Sequence, residues 1–221
     1  MTIIAPTITT NDPSLYSQRL NDFLRFASRI QIDITDGQFA PSQTLNLNQL
    51  YWPAASDRNC AIDLHLMIGN PLNWLDQIVS LTPDKVILHA ECADAAENLP
   101  KIFDHFRKVG ISPGLALLPQ TNVMDVAALI SLVDSVLIFG GSLGYQGGVA
   151  DLSQLDKIPY VKQINQASTI EWDGGANLSN ISTIARAGVD QINVGSAISS
   201  ADDVRGAYEA LVGAANQINS H

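Results

Sequence analysis

The chain is poor in positive charge. Its 221 residues include 12 lysines and arginines against 22 aspartates and glutamates, which gives a formal net charge of −10. No lysine- or arginine-rich block interrupts this acidic balance. Because nucleic-acid backbones and anionic membrane surfaces are bound through clusters of positive charge, we expect neither as a partner.

Cysteine and long apolar runs are scarce as well. The two cysteines, Cys60 and Cys92, lie in no CxxC or Cys/His metal-binding spacing, which is typical of reduced thiols in a cytoplasmic protein. The first residues lack the charged and apolar regions of a signal peptide. No apolar run reaches the roughly 18 residues of a membrane-spanning helix. We therefore expect a cytoplasmic protein without a membrane span.

What the sequence does contain is a regular alternation of strand and helix patterns. Hydrophobic residues make up 46% of the chain and charged residues 15%, which suits a large buried core. Short β-rich runs at 2–8, 29–34, 61–66, 85–89, 112–117, 135–139, 169–172 and 191–194 are separated by segments with helical spacing. Eight such units predict a (β/α)₈ barrel formed by a single domain, 1–221. A doubly wound open sheet is the alternative, but the first strand is not followed by a GxGxxG turn.

Several helix ends are predicted from capping residues. Helices are expected to start at Asp12, Asn70, Asp94 and Asn177, and the first two are N-cap candidates followed by proline. Gly110 and Gly188 are expected to end the helices that start at Asp94 and Asn177. We expect helices of roughly 10–15 residues joined by short loops.

Polar residues stand where four of the apolar runs stop: Asp33, His65, His89 and Asp173. A carboxylate or imidazole at that point gives up hydrophobic burial, and the carboxyl ends of parallel strands are where barrel enzymes carry their active sites. Strand alternation also puts Gln31 on the same face as Asp33. The pattern therefore indicates an enzyme.

The side chains of Asp33, His65 and Asp173 would converge at the barrel mouth. Two carboxylates and an imidazole suit a divalent cation. The alternative is that each aspartate is an N-cap or turn residue, a common role at strand ends.

Glycine clusters follow the last three strands. The residues are Gly144, Gly147, Gly148, Gly174, Gly175, Gly195 and Ser196. Barrels commonly bind phosphate here through backbone N–H groups. No lysine or arginine lies between Asp134 and Asp156, so amides would hold the phosphate. The alternative is that these segments are plain flexible connections.

Six motifs resemble those of the ribulose-phosphate 3-epimerase family and occur in family order. They are IAPTI at 4–8, DITDGQFAP at 33–41, DLHLM at 63–67, HAE at 89–91, DGG at 173–175 and GSAI at 195–198. The resemblance implies a metal-dependent (β/α)₈ barrel that interconverts D-ribulose 5-phosphate and D-xylulose 5-phosphate in the pentose phosphate pathway.

The resemblance also implies roles for individual residues. Asp33 and Asp173 would be the paired acid and base and also metal ligands, with His65 as a further ligand. Substrate contacts would come from Thr7, His65, Met67 and the glycine-cluster residues named above. For Met67, a purely structural place in the core is an equal alternative.

The chemistry of epimerisation fits this set of residues. Inverting a carbon next to a carbonyl needs a base on one face, an acid on the other and stabilisation of the enediolate between the two steps. Two carboxylates with a cation between them meet these needs.

Two features depart from the family pattern. Gln31 stands where the family has a histidine ligand, and an amide oxygen is a weaker ligand. The loop 144–148 differs from the family's glycine-rich loop. The metal is therefore left open among Mn²⁺, Mg²⁺, Zn²⁺, Fe²⁺ and Co²⁺. Epimerisation of a related ketose phosphate and binding of a sugar phosphate without catalysis are the alternative functions. The oligomeric state is left open, and it includes a homo-oligomer.

Overall fold

Eight parallel strands close into a barrel in sequence order in the computed structural model, which describes residues 1–145 and 147–217. The strands are β1 (Ile3–Ile8), β2 (Arg29–Thr35), β3 (Ala61–Met67), β4 (Lys85–His89), β5 (Ser112–Leu117), β6 (Ser135–Phe139), β7 (Thr169–Asp173) and β8 (Gln191–Val194). Pairing of β1 with β8 completes the ring. The predicted (β/α)₈ barrel is confirmed.

The strand boundaries agree closely with the sequence pattern. Four strands have the predicted bounds, and each of the others differs by one residue at one end. The agreement has a physical cause, because strands covered by helices outside and by packed side chains inside appear as nearly continuous apolar runs. The extra residue at the end of β7 is Asp173, so this carboxylate belongs to the strand itself.

Helices surround the barrel, but most are shorter than predicted. They are α1 (Pro13–Phe23), α2 (Leu75–Ser80), α3 (Ala95–Lys108), α4 (Ala127–Ile130), α5 (Ile158–Ile164), α6 (Ile181–Arg186), α7 (Ser196–Ser199) and α8 (Val204–Ala215). The expected length holds for α1, α3 and α8 and is wrong for the rest. Part of the helical pattern before α2, α4 and α5 forms 3₁₀ turns, at Pro71–Trp74, Val123–Val126 and Leu152–Lys157.

Four of the predicted helix ends are confirmed. The Asp12 carboxylate accepts a hydrogen bond from the N–H of residue 14 at 2.8 Å. Asn70 does the same for residue 72 at 3.2 Å, although it caps a 3₁₀ turn. Gly110 and Gly188 have φ values of 83° and 96°, the left-handed conformation in which glycine ends a helix at little steric cost.

Of the other two predicted starts, one is confirmed and one is wrong. Asp94 directly precedes α3, which begins at Ala95 as expected, although Asp94 has a φ of 51° and makes no capping hydrogen bond through its side chain. Asn177 forms a local turn, and α6 begins later, at Ile181, after Asn180 in the N-cap position. Asx turns and N-caps use the same side-chain chemistry, so the residue type alone did not separate them.

The lower half of the barrel interior holds buried charges. Lys85 Nζ lies 2.5 Å from a Glu171 carboxylate oxygen and 3.5 Å from one of Asp63. Arg29 contacts Asp63 at 2.5 Å from the other side. Burial opposes the charge on Lys85, but the two carboxylates outweigh it and raise its pKa. The positive and negative charges thus compensate each other inside the barrel.

Both cysteines are free and buried. Burial raises the pKa of each thiol to about 11, so both are protonated at neutral pH. Among the described residues, no helix has the length and apolarity needed to cross a bilayer.

Replacing Lys85 with methionine should destabilise the barrel. Lys85→Met leaves Glu171 and Asp63 buried without their shared cation, a change that typically costs about 3–5 kcal/mol. The free energy of unfolding from urea titration measures this. Lys101→Met is the control, because Lys101 pairs with Glu97 on the surface, with 68% of its side chain exposed. An exposed pair contributes about 0–1 kcal/mol. Equal losses in the two variants would contradict this account of the interior.

Candidate active site

A cavity of about 430 Å³ opens at the carboxyl ends of the strands. Its volume lies within the range of small-molecule sites, about 300–1,000 Å³. Nearly all the residues named from the sequence line it: Thr7, Asp33, His65, Met67, Gly144, Gly147, Gly148, Asp173, Gly174, Gly175, Gly195 and Ser196. Gln31 does not line the cavity; it is completely buried and hydrogen-bonded to the two carboxylates.

The two aspartates reach the cavity from separate parts of the barrel. Asp33 lies on β2 and Asp173 on β7, with β1 and β8 between them. His65 joins them, with its Nδ1 3.2 Å from Asp33 Oδ1 and 3.5 Å from Asp173 Oδ2. Closure of the barrel therefore creates a carboxylate pair out of residues 140 positions apart in sequence.

Gln31 joins the same two carboxylates from below. Its Nε2 donates to Asp33 Oδ1 at 2.8 Å and to Asp173 Oδ2 at 2.5 Å. The amide oxygen is buried without a hydrogen-bond partner among the described residues. The sequence interpretation had the amide oxygen face a metal, whereas here the N–H groups face the carboxylates. Turning the amide over would remove both hydrogen bonds, so it needs a cation between the oxygens to compensate.

The electrostatics of the pair follow from this enclosure. Burial, and then the neighbouring charge of Asp33, raise the pKa of Asp173. Burial works against protonation of His65, but its hydrogen bonds to Asp173 and Asp33 outweigh that effect and raise its pKa to about 9. The structure thus places an imidazole with a raised pKa directly beside the two carboxylates. Proton transfer requires titratable groups in such close contact.

His89, a strand-end residue without a role assigned from the sequence, contacts His65. The two Nε2 atoms are 2.9 Å apart. Burial lowers the pKa of His89 to about 4, which keeps this imidazole neutral. His89 belongs to the support of the site, since it does not line the cavity.

Sequence reasoning missed several cavity residues. Thr9 donates to Asp33 Oδ2 at 2.6 Å, and Phe139, Asn177 and Asn193 also line the cavity. Thr9 was detectable, because it lies two positions after Thr7 and strand alternation points both to the same side. Asn177 was interpreted only as a helix start.

The donor atoms also suit a divalent cation. One atom each from Asp33, His65 and Asp173 lie within 4.8 Å of one another, compatible with common ligation at about 2.0–2.6 Å. Carboxylates with one imidazole accept Mn²⁺, Mg²⁺ or Zn²⁺. The residues present therefore fit a metal ion.

Glycine backbone forms the wall of the cavity at the loops after β6 and β7. Among the described residues that line the cavity there is no lysine or arginine. Gly174 has a φ of 118°, and a Cβ placed on it would collide with the backbone of Gly141 in the loop after β6. The loops after β6 and β7 therefore approach each other as closely as backbones can, and both need glycine there. Gln146, which belongs to the glycine-rich segment 140–148 of the sequence, lies outside the described residues.

Comparison with known proteins agrees with this geometry. A family model described as "Ribulose-phosphate 3 epimerase family" matches residues 3–199. Curated relatives include the ribulose-phosphate 3-epimerase of Chlamydia muridarum, 30% identical and covering 85% of this chain and 84% of its own. The enzyme of that name from Mycobacterium leprae is also 30% identical, covering 99% and 97% of the two chains.

Solved structures share the fold at much lower identity. The 3-hexulose-6-phosphate synthase of Salmonella typhimurium has a TM-score of 0.73 at 12% identity, covering 97% of this chain and 98% of its own. The tryptophan synthase α-subunit of Pyrococcus furiosus has a TM-score of 0.70 at 15% identity, covering 95% and 96%. At this low sequence identity, these structures support the fold alone.

The family match and the curated relatives identify the class of protein as an isomerase-type enzyme that acts on carbohydrates. The chain belongs to the ribulose-phosphate 3-epimerase family.

Alanine at position 174 should disrupt the glycine wall. In Gly174→Ala the new Cβ meets the Gly141 backbone, in addition to the strain of about 1–3 kcal/mol expected for a side chain in such a conformation. Gly188→Ala is the matched control, because Gly188 also has a positive φ, 96°, but open space around its Cβ position. Urea unfolding should show a larger loss for Gly174→Ala. Equal losses would mean that the close approach does not constrain this wall.

Proposed function

We propose that this protein interconverts D-ribulose 5-phosphate and D-xylulose 5-phosphate as one barrel domain, with Asp33 and Asp173 as the acid/base pair. The observation that carries the proposal is the meeting of these two carboxylates at the cavity, both bonded to Gln31 and His65. An enzyme that inverts a carbon next to a carbonyl needs proton-transfer groups on both faces of that carbon.

The two aspartates divide the proton transfers between them. One removes the C3 proton of the bound sugar and the other returns a proton to the opposite face. Because burial and the charge of Asp33 raise the pKa of Asp173, we assign Asp173 the role of acid in this direction and Asp33 the role of base. In the reverse direction the roles exchange. Hydrogen bonds from Thr9 and Gln31 orient the Asp33 carboxylate.

A divalent cation would be held by Asp33, His65 and Asp173, and when bound it supplies positive charge that stabilises the enediolate oxygens. We assign Gln31 to a weaker fourth contact, available only if its amide turns its oxygen toward the ion.

The remaining cavity residues bind the substrate in this proposal. Backbone N–H groups of Gly147, Gly148, Gly174, Gly175, Gly195 and Ser196 hold the phosphate. With no basic side chain among the described lining residues, its charge is stabilised by amide dipoles. Thr7 and His65 contact the sugar, and Met67 packs on its apolar face. Gly144, which has no side chain, allows its loop to come close to the bound substrate.

A coupled assay over a panel of ketose phosphates, with and without added Mn²⁺, Mg²⁺, Zn²⁺, Fe²⁺ or Co²⁺, tests the activity. We expect the highest kcat/KM with D-ribulose 5-phosphate. A higher kcat/KM with a ketohexose 6-phosphate would change the assigned substrate. Binding without turnover of any sugar phosphate would refute catalysis.

Removing either carboxylate should abolish turnover. Asp33→Asn and Asp173→Asn should each lower kcat by at least about 100-fold, since a positioned acid or base contributes typically 10²–10⁴-fold. Asp104→Asn is the control, because Asp104 pairs with Lys108 on the surface with 65% of its side chain exposed. Rates near wild type in either site variant would remove that aspartate from the mechanism.

Changing Gln31 tests the metal assignment. Gln31→His replaces an amide that donates to both carboxylates with an imidazole that can ligate, so Zn²⁺ affinity should rise by at least about tenfold, the lower end of what supporting contacts contribute to metal sites. Titration calorimetry on wild type and variant measures it. Equal affinities, or no binding by either protein, would refute a metal site at these residues.

A further inference from the structure

A chain of contacts leads from the carboxylate pair along the ends of β3 and β4 to the loop after β5. His65 Nε2 lies 2.9 Å from His89 Nε2, and His89 Nδ1 lies 3.3 Å from Glu91 Oε2. Both imidazoles are completely buried. Of these three residues, only His65 lines the cavity, so His89 and Glu91 can act on bound substrate only through it.

Glu91 fixes the direction of these hydrogen bonds. Its Oε1 accepts from the N–H of Leu118 at 2.9 Å and from the hydroxyl of Thr121. Burial opposes the charge on Glu91, but its hydrogen bonds to His89, Thr121 and Leu118 outweigh it and lower its pKa. An ionised carboxylate only accepts, so the bond between His89 and Glu91 requires a proton on His89 Nδ1.

The rest of the pattern follows along the chain. The two Nε2 atoms lie 2.9 Å apart and so hold one proton between them. His65 contacts two carboxylates, whereas His89 contacts Glu91 through the protonated Nδ1. The shared proton therefore lies on Nε2 of His65, and the bare Nε2 of His89 accepts the hydrogen bond. The His65 ring is thereby held with Nδ1 toward Asp33 and Asp173, at 3.2 and 3.5 Å.

We propose that His89 and Glu91 are positioning residues that fix the orientation and the Nε2 proton of His65, so that its Nδ1 always faces the two carboxylates. This role rests on the proposed function only in that His65 serves the acid/base pair. The anchor of the chain lies outside the cavity, in the loop after β5. There Lys157 Nζ donates to the carbonyl oxygens of Leu118 and Pro119 at 2.7 and 3.1 Å.

Glu91→Gln should reverse the chain. The glutamine Oε1 stays with its two donors, the Leu118 N–H and the Thr121 hydroxyl, so its NH₂ group faces His89 Nδ1. That nitrogen must now accept, which moves the His89 proton to Nε2. His89 then donates to His65 Nε2, which gives up its own proton, and His65 keeps a proton on Nδ1, toward the carboxylates. The proton between the two Nε2 atoms is bonded to His65 in the wild type and to His89 in the variant.

Nuclear magnetic resonance on protein labelled with ¹⁵N-histidine measures this directly. The one-bond N–H coupling and the nitrogen chemical shifts show which Nε2 carries the proton. Spectra are recorded on the whole chain without substrate or added metal, so the result does not depend on whether the protein epimerises any sugar. Circular dichroism confirms that each variant is folded.

Glu97→Gln is the matched control, because Glu97 is a surface carboxylate in α3 with 75% of its side chain exposed. It should leave the wild-type pattern unchanged. A wild-type protein with the shared proton on His89, or an identical pattern in wild type and Glu91→Gln, overturns the proposal. If Glu91→Gln does not fold, the wild-type spectrum alone still decides the direction.

Discussion

Two carboxylates that meet at one point, Asp33 buried and Asp173 partly buried, are the constraint on which the site depends. Asp33 and Asp173 would repel each other without groups between them, and the chain supplies those groups from neighbouring positions. The Gln31 amide and the His65 imidazole each contact both carboxylates, and Thr9 adds a third donor on Asp33. The pair is therefore solvated by protein donors in fixed positions, which need little rearrangement when a proton moves.

The barrel below and beside the pair supports this arrangement. The charges of Lys85, Arg29, Asp63 and Glu171 compensate each other beneath it. On one side, contacts through His89 reach Glu91 and the loop after β5. On the other, the close approach of Gly141 and Gly174 shapes a wall of glycine backbone. Strands thus carry the carboxylates, while glycine-rich loops line the cavity beside them.

Much of this could be predicted from the sequence. Strands buried on both sides gave nearly continuous apolar runs, and polar residues at their ends marked Asp33, His65 and Asp173. The details that were missed depend on distance in space. Nothing in the local pattern indicates that Gln31 would present its nitrogen to Asp173, or that His89 would meet His65. Asn177 was misinterpreted because turns and caps use the same residue types, and Thr9 was missed because it lies just beyond the end of β1.

The central claim, that two carboxylates invert C3 through exchange with protons of the medium, is tested most directly in heavy water. D-ribulose 5-phosphate is incubated with the protein, and C3 of the product is followed by proton magnetic resonance. The account predicts that each D-xylulose 5-phosphate formed carries deuterium at C3, because the returning aspartate takes its proton from the medium and not from the substrate. Product that keeps the original C3 hydrogen would contradict a two-carboxylate mechanism.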